Sequence, residues 1–150
     1  MKIWIYSLFT LSLLSCGPQI RVSGSSQHFA HFDEIQSYYK AISYDDVRIL
    51  IYEVETSSET QTPADLWMKE ILLEQKAKGY KFLDSKNFKT DKGEEFLYSE
   101  FETFYNGKPY LYSVSVLVRD GKNIISEISG EKDKYTKQKK EALSIISSIE

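Results

Sequence analysis

Two dipeptides, Asn106-Gly107 and Asp120-Gly121, constrain the fold of this chain most strongly. Both central residues of a two-residue type I′ hairpin turn need a positive φ, which Asn, Asp and Gly tolerate better than other residues. The dipeptides separate three runs that are rich in Tyr, Phe, Val and Ile, and a fourth such run ends at the turn sequence Asp-Lys-Gly. The sequence therefore predicts a meander of four antiparallel strands over residues 80–90, 94–105, 108–118 and 123–130.

Two segments that precede the meander predict a hairpin. Residues 47–55, VRILIYEVE, are rich in the residue types that favour strands. Residues 34–42 fit two patterns. Their alternate positions suit a strand, whereas Ile35, Tyr39 and Ile42 also suit one face of a helix. We favour the strand, because the intervening Ser-Tyr-Asp-Asp then forms a turn between two antiparallel strands.

Two further segments have the periodicity of amphipathic helices. In the first, residues 62–79, Thr62 suits the N-terminal cap and Pro63 suits the first helical position. The second covers residues 133–150, and the basic run Lys132 to Lys140 is predicted to be its solvated face. Five apolar side chains of the second helix form one stripe: Tyr135, Ala142, Ile145, Ile146 and Ile149.

The order of these elements predicts an α+β domain over residues 28–150. A chain of 150 residues normally forms one domain, and its 11 tyrosines and 8 phenylalanines favour a sheet. We expect an antiparallel sheet, made of the four-strand meander and the N-terminal hairpin, with both helices packed on one face.

The element order, together with the closing helix ALSIISSIE at 142–150, resembles the α/β sandwich of the PsbP-like and DcrB-like proteins. The resemblance covers about residues 30–150 and implies a non-enzymatic binding or assembly factor, in a group whose members are often exported or lipid-anchored. No catalytic motif defines this group, so the resemblance carries no residue roles to this chain.

An apolar leader is predicted at residues 1–15. Its apolar part, residues 3–14, is shorter than the ~20 residues that span a bilayer, but it has the proportions of a secretory signal. Leu13 stands three residues before Cys16 and Ser15 stands directly before it. This end resembles the lipobox of bacterial lipoprotein signals. The alternative is a plain signal peptide with an incidental cysteine near its end.

The lipobox resemblance implies a role for Cys16, the single cysteine of the chain. In lipoproteins the sulfur receives a diacylglyceryl group, the chain is cut before the cysteine, and the new amine is often acylated with a fatty acid such as palmitate. Two or three acyl chains hold a protein firmly on a membrane. The residue after the cysteine is Gly17 and not Asp. This resembles lipoproteins that enteric bacteria sort to the outer membrane by default.

Residues 16–27 are predicted to be a lipidated cysteine followed by a flexible tether, because this stretch is rich in Gly and Ser. The tether would leave the domain in the cell envelope, facing the periplasm or the cell surface. The formal net charge of the whole chain is −3, which provides no electrostatic footprint for nucleic acid.

The sequence contains no constellation that predicts catalysis. It has no G-x-S-x-G elbow, and no glycine-rich loop opens a helix. The two histidines, His28 and His31, could bind a metal only if they were helical and joined by a third ligand. A polar start to the domain explains them better. We therefore expect no enzyme activity, no metal and no cofactor.

The register set by the Asn106-Gly107 turn divides the meander into two faces. One face is apolar and includes Leu97, Phe101 and Val116. If the helices cover only that face, the other exposes aromatic residues beside serines and a carboxylate, which is the composition of a recognition surface. Scattered exposed aromatics or a shifted register are the alternative explanations. The candidate partner-binding residues on this second face are Phe96, Tyr98, Glu100 and Phe104.

These observations favour a lipid-anchored envelope protein whose domain binds a protein partner or helps to assemble a complex. The alternative is a carrier or sensor for a small apolar ligand held between the sheet and the helices. A pocket enclosed between the layers would favour the carrier, and a solid core with an exposed aromatic face would favour the partner-binding protein.

Overall fold

The computed structural model describes residues 20–32, 38–55 and 62–150. The predicted leader 1–15 and Cys16 lie outside these residues. The described chain forms seven strands and two helices: β1 (Phe29–His31), β2 (Tyr38–Ser43), β3 (Arg48–Glu55), α1 (Ala64–Ala77), β4 (Lys81–Lys89), β5 (Glu95–Tyr105), β6 (Lys108–Arg119), β7 (Lys122–Glu131) and α2 (Lys132–Ser147).

The strands form one antiparallel sheet in the order β1-β2-β3-β7-β6-β5-β4. The meander β4 to β7 is joined to the N-terminal strands where β3 pairs with β7. The predicted α+β class is therefore confirmed. Tyr38–Ser43 forms a strand, as favoured for residues 34–42, of which residues 34–37 lie outside the described part of the chain. The sheet has seven strands rather than the expected six, because the short strand β1 pairs with β2 outside the predicted hairpin.

The two hairpin turns have the geometry that their sequences predict. Asn106 and Gly107 have φ values of 51° and 75°, and Asp120 and Gly121 have φ values of 48° and 78°. Tyr105 pairs with Lys108 across the first turn, which confirms the predicted register of β5 and β6. The two faces of the meander therefore carry the side chains that the sequence assigned to them.

The helices cover opposite faces of the sheet, so the expectation that both pack on one face is wrong. Met68 of α1 packs in a cluster with Val116 of β6. Ile145 of α2 packs in a second cluster with Leu117 of β6. Successive residues of a strand point to opposite faces, so these two clusters lie on opposite sides of the sheet. The central strands are apolar on both faces, and each face requires its own helix.

Residues 20–27, which the sequence assigned to a flexible tether, belong in part to the folded domain. Ile20 is only 7% exposed, and Val22 forms a β-bridge with Ile149 after the end of α2. The backbone N–H of Ser23 donates to the carbonyl oxygen of Ser148 at 3.1 Å. The backbone groups of this stretch find hydrogen-bond partners in the residues that follow α2. Composition alone does not reveal such a long-range contact.

The helices differ from their predictions in two details. No side-chain hydrogen bond caps α1, so Thr62 does not act as the predicted cap, and Pro63 occupies the N-cap position. The basic run of α2 is not solvated throughout, because Lys139 is partly buried and contacts Glu100 of the sheet. The predicted apolar stripe of this helix is buried as expected.

Candidate functional site

Helix α2 covers three of the four residues that the sequence proposed as a partner-binding surface. Phe96, Tyr98 and Glu100 are 0%, 1% and 9% exposed, respectively. Phe96 packs in the same cluster as Tyr135 and Ile145 of α2. The expectation of an open recognition face is therefore wrong at these three positions. Phe104 lies beyond the helix and is 71% exposed, so its contact with a partner stays a prediction.

A buried polar network takes the place of the expected surface. The Tyr98 hydroxyl donates to the Glu100 carboxylate at 2.5 Å and lies 3.0 Å from the Tyr135 hydroxyl. The Tyr135 hydroxyl also lies 2.7 Å from Ser113 Oγ, to which it donates. Lys139 of α2 completes the network with a hydrogen-bonded ion pair to Glu100. These contacts join the polar side chains of β5 and β6 to α2, so the network holds the helix on the sheet.

Glu100 and Lys139 of this network hold each other in their charged forms. Burial by itself raises the pKa of Glu100, but hydrogen bonds from Lys139 and Tyr98 outweigh it, so the pKa is lowered. Burial lowers the pKa of Lys139, but its hydrogen bond to Glu100 together with the electrostatic effects of Tyr98 and Glu100 outweighs burial, so the pKa is raised. Burial raises the pKa of Tyr98 and of Tyr135. A charged pair beside two neutral tyrosines is a structural arrangement rather than a reactive one.

The two histidines bond to different partners. His28 Nδ1 lies 2.6 Å from the Glu141 carboxylate, and His31 Nδ1 is hydrogen-bonded to the Tyr39 hydroxyl. Among the residues that the structure describes, no group of three or more His, Cys, Asp and Glu side chains is arranged to hold a metal ion.

The accessible surface lies on the other face of the sheet, beside α1. Helix α1 packs mainly over β4, β5 and β6. The cluster beneath it reaches Tyr52 of β3 and Ile125 of β7, and a groove is left over the remaining part of β2, β3 and β7 on this side. A groove of about 640 Å³ runs over these three strands. We call it the open face and define it by seven residues that line the groove: Tyr38, Lys40, Arg48, Leu50, Tyr52, Glu127 and Ser129.

The strand register places the side chains of the open face in rows. Tyr38 pairs with Tyr52, and Lys40 pairs with Leu50 across β2 and β3. Leu50 in turn pairs with Glu127 of β7. Because directly paired residues point to the same face, tyrosine, cation, leucine and carboxylate side chains form one continuous surface.

Tyrosine hydroxyls hold the carboxylate of the open face in place. The Tyr52 hydroxyl donates to Glu127 Oε1 at 2.7 Å. Burial raises the pKa of Tyr52, and its hydrogen bond to Glu127 raises it further. Burial likewise raises the pKa of Tyr112, with the charge of Glu127 as the next cause. Both tyrosines therefore remain neutral donors, and the carboxylate has a defined position.

The two cations of the open face make weak contacts with neighbouring groups. Arg48 donates to Asp46 at 3.1 Å, and both side chains of this pair are about 60% exposed. Lys40 Nζ lies 5.5 Å from the centre of the Phe32 ring. An exposed pair and a cation over an exposed ring are each worth at most about 1 kcal/mol. Both cations can therefore turn towards a bound partner at small cost.

The open face continues towards the turn between β5 and β6. A smaller groove shares Arg48 and Ser129 with it and is also lined by Tyr105 and Tyr110. The rings of these two tyrosines meet edge to face, with centroids 5.8 Å apart. The accessible surface thus includes tyrosine, arginine and lysine side chains along its whole length.

One signal for the open face is present in the sequence. Alternate positions of the predicted strand 47–55 carry Arg48, Leu50 and Tyr52, and the segment before it carries Tyr38 and Lys40 at the same spacing. Polar, aromatic and apolar side chains that share one face of two neighbouring strands are typical of a partly solvated surface. Only the position of α1 decides that this part of the face stays uncovered.

Comparisons with known proteins identify the fold. No protein-family model and no curated protein matches this chain. Three solved structures share its fold at low sequence identity. PA94 from Pseudomonas aeruginosa, a protein of unknown function, is 11% identical, with 78% of this chain and 94% of PA94 covered and a TM-score of 0.56.

The other two similar structures have functional descriptions. LpqN from Mycobacterium tuberculosis, which is involved in cell envelope biogenesis, is 12% identical, with 87% of this chain and 82% of LpqN covered and a TM-score of 0.56. CyanoP, the PsbP protein of Synechocystis sp. PCC 6803, is 15% identical, with 92% of this chain and 98% of CyanoP covered and a TM-score of 0.53. The predicted PsbP-like fold is therefore confirmed.

Within the described parts of the chain, neither helix has the length and apolar character that crossing a membrane requires.

Proposed function

We propose that this chain is a lipid-anchored protein of the bacterial cell envelope whose domain binds a protein partner through the open face. Cys16 would carry the lipid, and the domain would be non-catalytic. The outer membrane is the proposed location, since Gly17 rather than Asp follows Cys16. The fold shared with LpqN, a protein involved in cell envelope biogenesis, supports the envelope location.

The observation that carries the partner-binding proposal is the composition of the open face. Tyrosine and arginine are enriched in protein interfaces, where they often contribute most of the binding energy. Tyr38, Tyr52 and Arg48 lie on one accessible groove, and Tyr105 extends this surface. The hydroxyl-bonded Glu127 offers a fixed acceptor beside mobile cations, so the surface can recognise a partner segment with charges of both signs.

A second candidate function is a carrier for a small ligand, and the size of the groove favours it. A volume of about 640 Å³ lies within the range of ~300–1,000 Å³ that small-molecule sites occupy. However, its lining residues come from strands alone, so the groove lies on the outside of the sheet rather than between the sheet and a helix. An external groove suits a protein segment better than an apolar ligand that must be shielded from water.

Site-specific photo-cross-linking tests the proposal. A photoreactive amino acid at Leu50, in the centre of the open face, should form a defined cross-linked protein product in intact cells. The same residue at Lys137, on the solvated side of α2, should not. Adding Lys40→Ala and Arg48→Ala should reduce the Leu50 product about tenfold without changing the thermal midpoint. Equal products at Leu50 and Lys137 would argue against the open face.

The small-ligand alternative has its own readout. Native mass spectrometry of the protein purified from membranes would detect a bound small molecule as a defined mass increase. The carrier function replaces the partner-binding function on two conditions. Leu50→Glu must remove the mass increase, and the photoreactive residue at Leu50 must give no cross-linked protein product.

A further inference from the structure

Residues 20–24 dock against the end of α2, and this contact limits how the domain can be oriented on the membrane. Val22 bridges Ile149, and the backbone N–H of Glu150 donates to the carbonyl oxygen of Arg21 at 2.9 Å. The backbone N–H of Gly24 donates to Ser148 Oγ at 2.8 Å. The chain is therefore fixed to the domain from Ile20 onwards.

This fixed point shortens the tether. Four residue steps separate Cys16 from Ile20, and an extended chain spans at most ~3.6 Å per residue, so the reach is at most about 14 Å. The tether expected from composition, residues 16–27, would have allowed the domain to tumble away from its anchor. The contacts of Ile20 and Val22 remove that freedom.

The fixed point lies at one end of the sheet, which we call the tether end. Besides residues 20–24 it contains the turn after β4, since the backbone N–H of Asp91 donates to the carbonyl oxygen of Ser147 at 2.8 Å. Strand β5 starts at this end and reaches the Asn106-Gly107 turn after 11 residues. At ~3.3 Å per residue the opposite end is about 33 Å away.

The tether end carries charges of both signs: two ion pairs lie there beside the exposed residues Arg21, Asp91, Lys92, Asp120 and Glu150. Arg119 pairs with Glu94, and Lys122 pairs with Glu53 at 2.8 Å, so these ions neutralise one another within the domain. No large single-sign field therefore arises from these groups to repel or attract an anionic lipid surface.

We propose that the tether end faces the lipid surface and that the Asn106-Gly107 end, with Tyr105 and Tyr110 of the smaller groove, points away from it. The partner of the tether end is the bilayer that holds the lipid. Tyr105 is then presented about 33 Å from this end, whereas Tyr38 of the open face lies beside residues 20–25. This inference rests on the lipid anchor of the proposed function.

Energy transfer on vesicles tests the orientation. The mature lipidated protein is purified from membranes and reconstituted into vesicles of phosphatidylethanolamine and phosphatidylglycerol that contain an acceptor-labelled lipid headgroup. A donor dye is placed on Lys92→Cys at the tether end or on Lys108→Cys at the opposite end, both exposed positions. Transfer from Lys92→Cys should exceed transfer from Lys108→Cys by about twofold or more, given the separation of about 33 Å.

A variant with a long tether is the matched control. Inserting about 20 Gly and Ser residues between Gly17 and Pro18 should remove most of the difference between the two labels, because a flexible linker reaches ~5–6 Å times the square root of its length. Equal transfer from both labels without the insertion would overturn the orientation. Failure of the protein to float with vesicles would instead overturn the lipid anchor, and the orientation with it.

Discussion

The side-chain hydroxyl groups of Tyr98 and Tyr135 lie 3.0 Å apart and join β5 to α2 beneath the helix. Both side chains are almost fully buried, and both hydroxyls also reach the carboxylate of Glu100. A residue that the sequence suggested as a partner contact is therefore part of the core. Substitution of Tyr98 or Tyr135 is therefore expected to lower the stability of the domain.

Replacing Tyr98 by Ala should strongly destabilise the domain. The change empties a large buried site and removes a hydroxyl from the network, so the free energy of unfolding should fall by about 3–5 kcal/mol. Phe104→Ala is the matched control, because Phe104 is 71% exposed and its loss should change stability by no more than about 0.5 kcal/mol. Urea unfolding of the two variants measures the difference, and similar midpoints would contradict the buried position of Tyr98.

The pair of Glu100 and Lys139 should make stability depend on acid pH. The pKa of Glu100 is below its ordinary value of 4.5 in the folded state, so its contribution is present above pH 4.5 and is lost as pH falls through the folded value. Glu100→Gln should be less stable at pH 7 and show a shallower loss of stability below pH 4.5. Urea midpoints measured from pH 7 to pH 3 check this.

Lys139→Met provides the complementary variant for the same network. It removes the cation whose hydrogen bond lowers the pKa of Glu100. Burial should then raise the folded-state pKa of the carboxyl group towards or above its ordinary value, so Lys139→Met should be less stable than the wild type at pH 7 and lose less stability as the pH falls. An unchanged acid transition in both variants would mean that this pair does not control the pH dependence.

Residues 20–27 should contribute to stability although they resemble a linker. A fragment of residues 20–150 should unfold cooperatively at a higher urea midpoint than a fragment of residues 28–150. Burial of Ile20 alone accounts for about 1.5–3 kcal/mol, and the hydrogen bonds of Ser23 and Gly24 add to it. Equal urea midpoints of the two fragments would mean that residues 20–27 add no stability and serve only as a tether.

Gly24→Ala should loosen the same segment without removing it. A Cβ at this position would clash with Ser148 Oγ, so the Ser148 side chain would have to turn away. The hydrogen bond that Ser148 Oγ accepts from the backbone N–H of residue 24 would then be lost. Amide hydrogen exchange at Ser23 and Glu150 should accelerate. The control is Ser25→Ala at the neighbouring exposed position, where exchange should match the wild type.

Cys16→Ala should release the protein from the membrane fraction. The lipobox resemblance makes Cys16 the attachment residue, and once the leader has been cut off the variant carries no acyl chains to hold it on the membrane. Ser12→Ala, within the leader, should leave membrane association unchanged. Cell fractionation distinguishes the two variants, and a Cys16→Ala protein that is cleaved normally and stays as membrane-bound as the wild type would refute the lipid anchor.

Local features of the sequence were sufficient to predict most elements and their pairing. The Asn-Gly and Asp-Gly turns determine the hairpins of the meander, because the positive φ they need suits few other residues. The register of β5 and β6 then follows from turn length, which assigns Tyr98 and Val116 to opposite faces. Helical periodicity likewise identified the buried stripe of α2 before its packing was known.

Tertiary structure alone decided which faces were covered and where the chain became fixed. An alternating strand has the same sequence pattern whichever helix packs on it, so the burial of Phe96, Tyr98 and Glu100 depends on α2 crossing their face. The open face exists because α1 lies on the same face of the sheet but packs mainly over β4, β5 and β6. The docking of Ile20 against the end of α2 joins residues more than 120 positions apart, and no local propensity encodes a contact of that range.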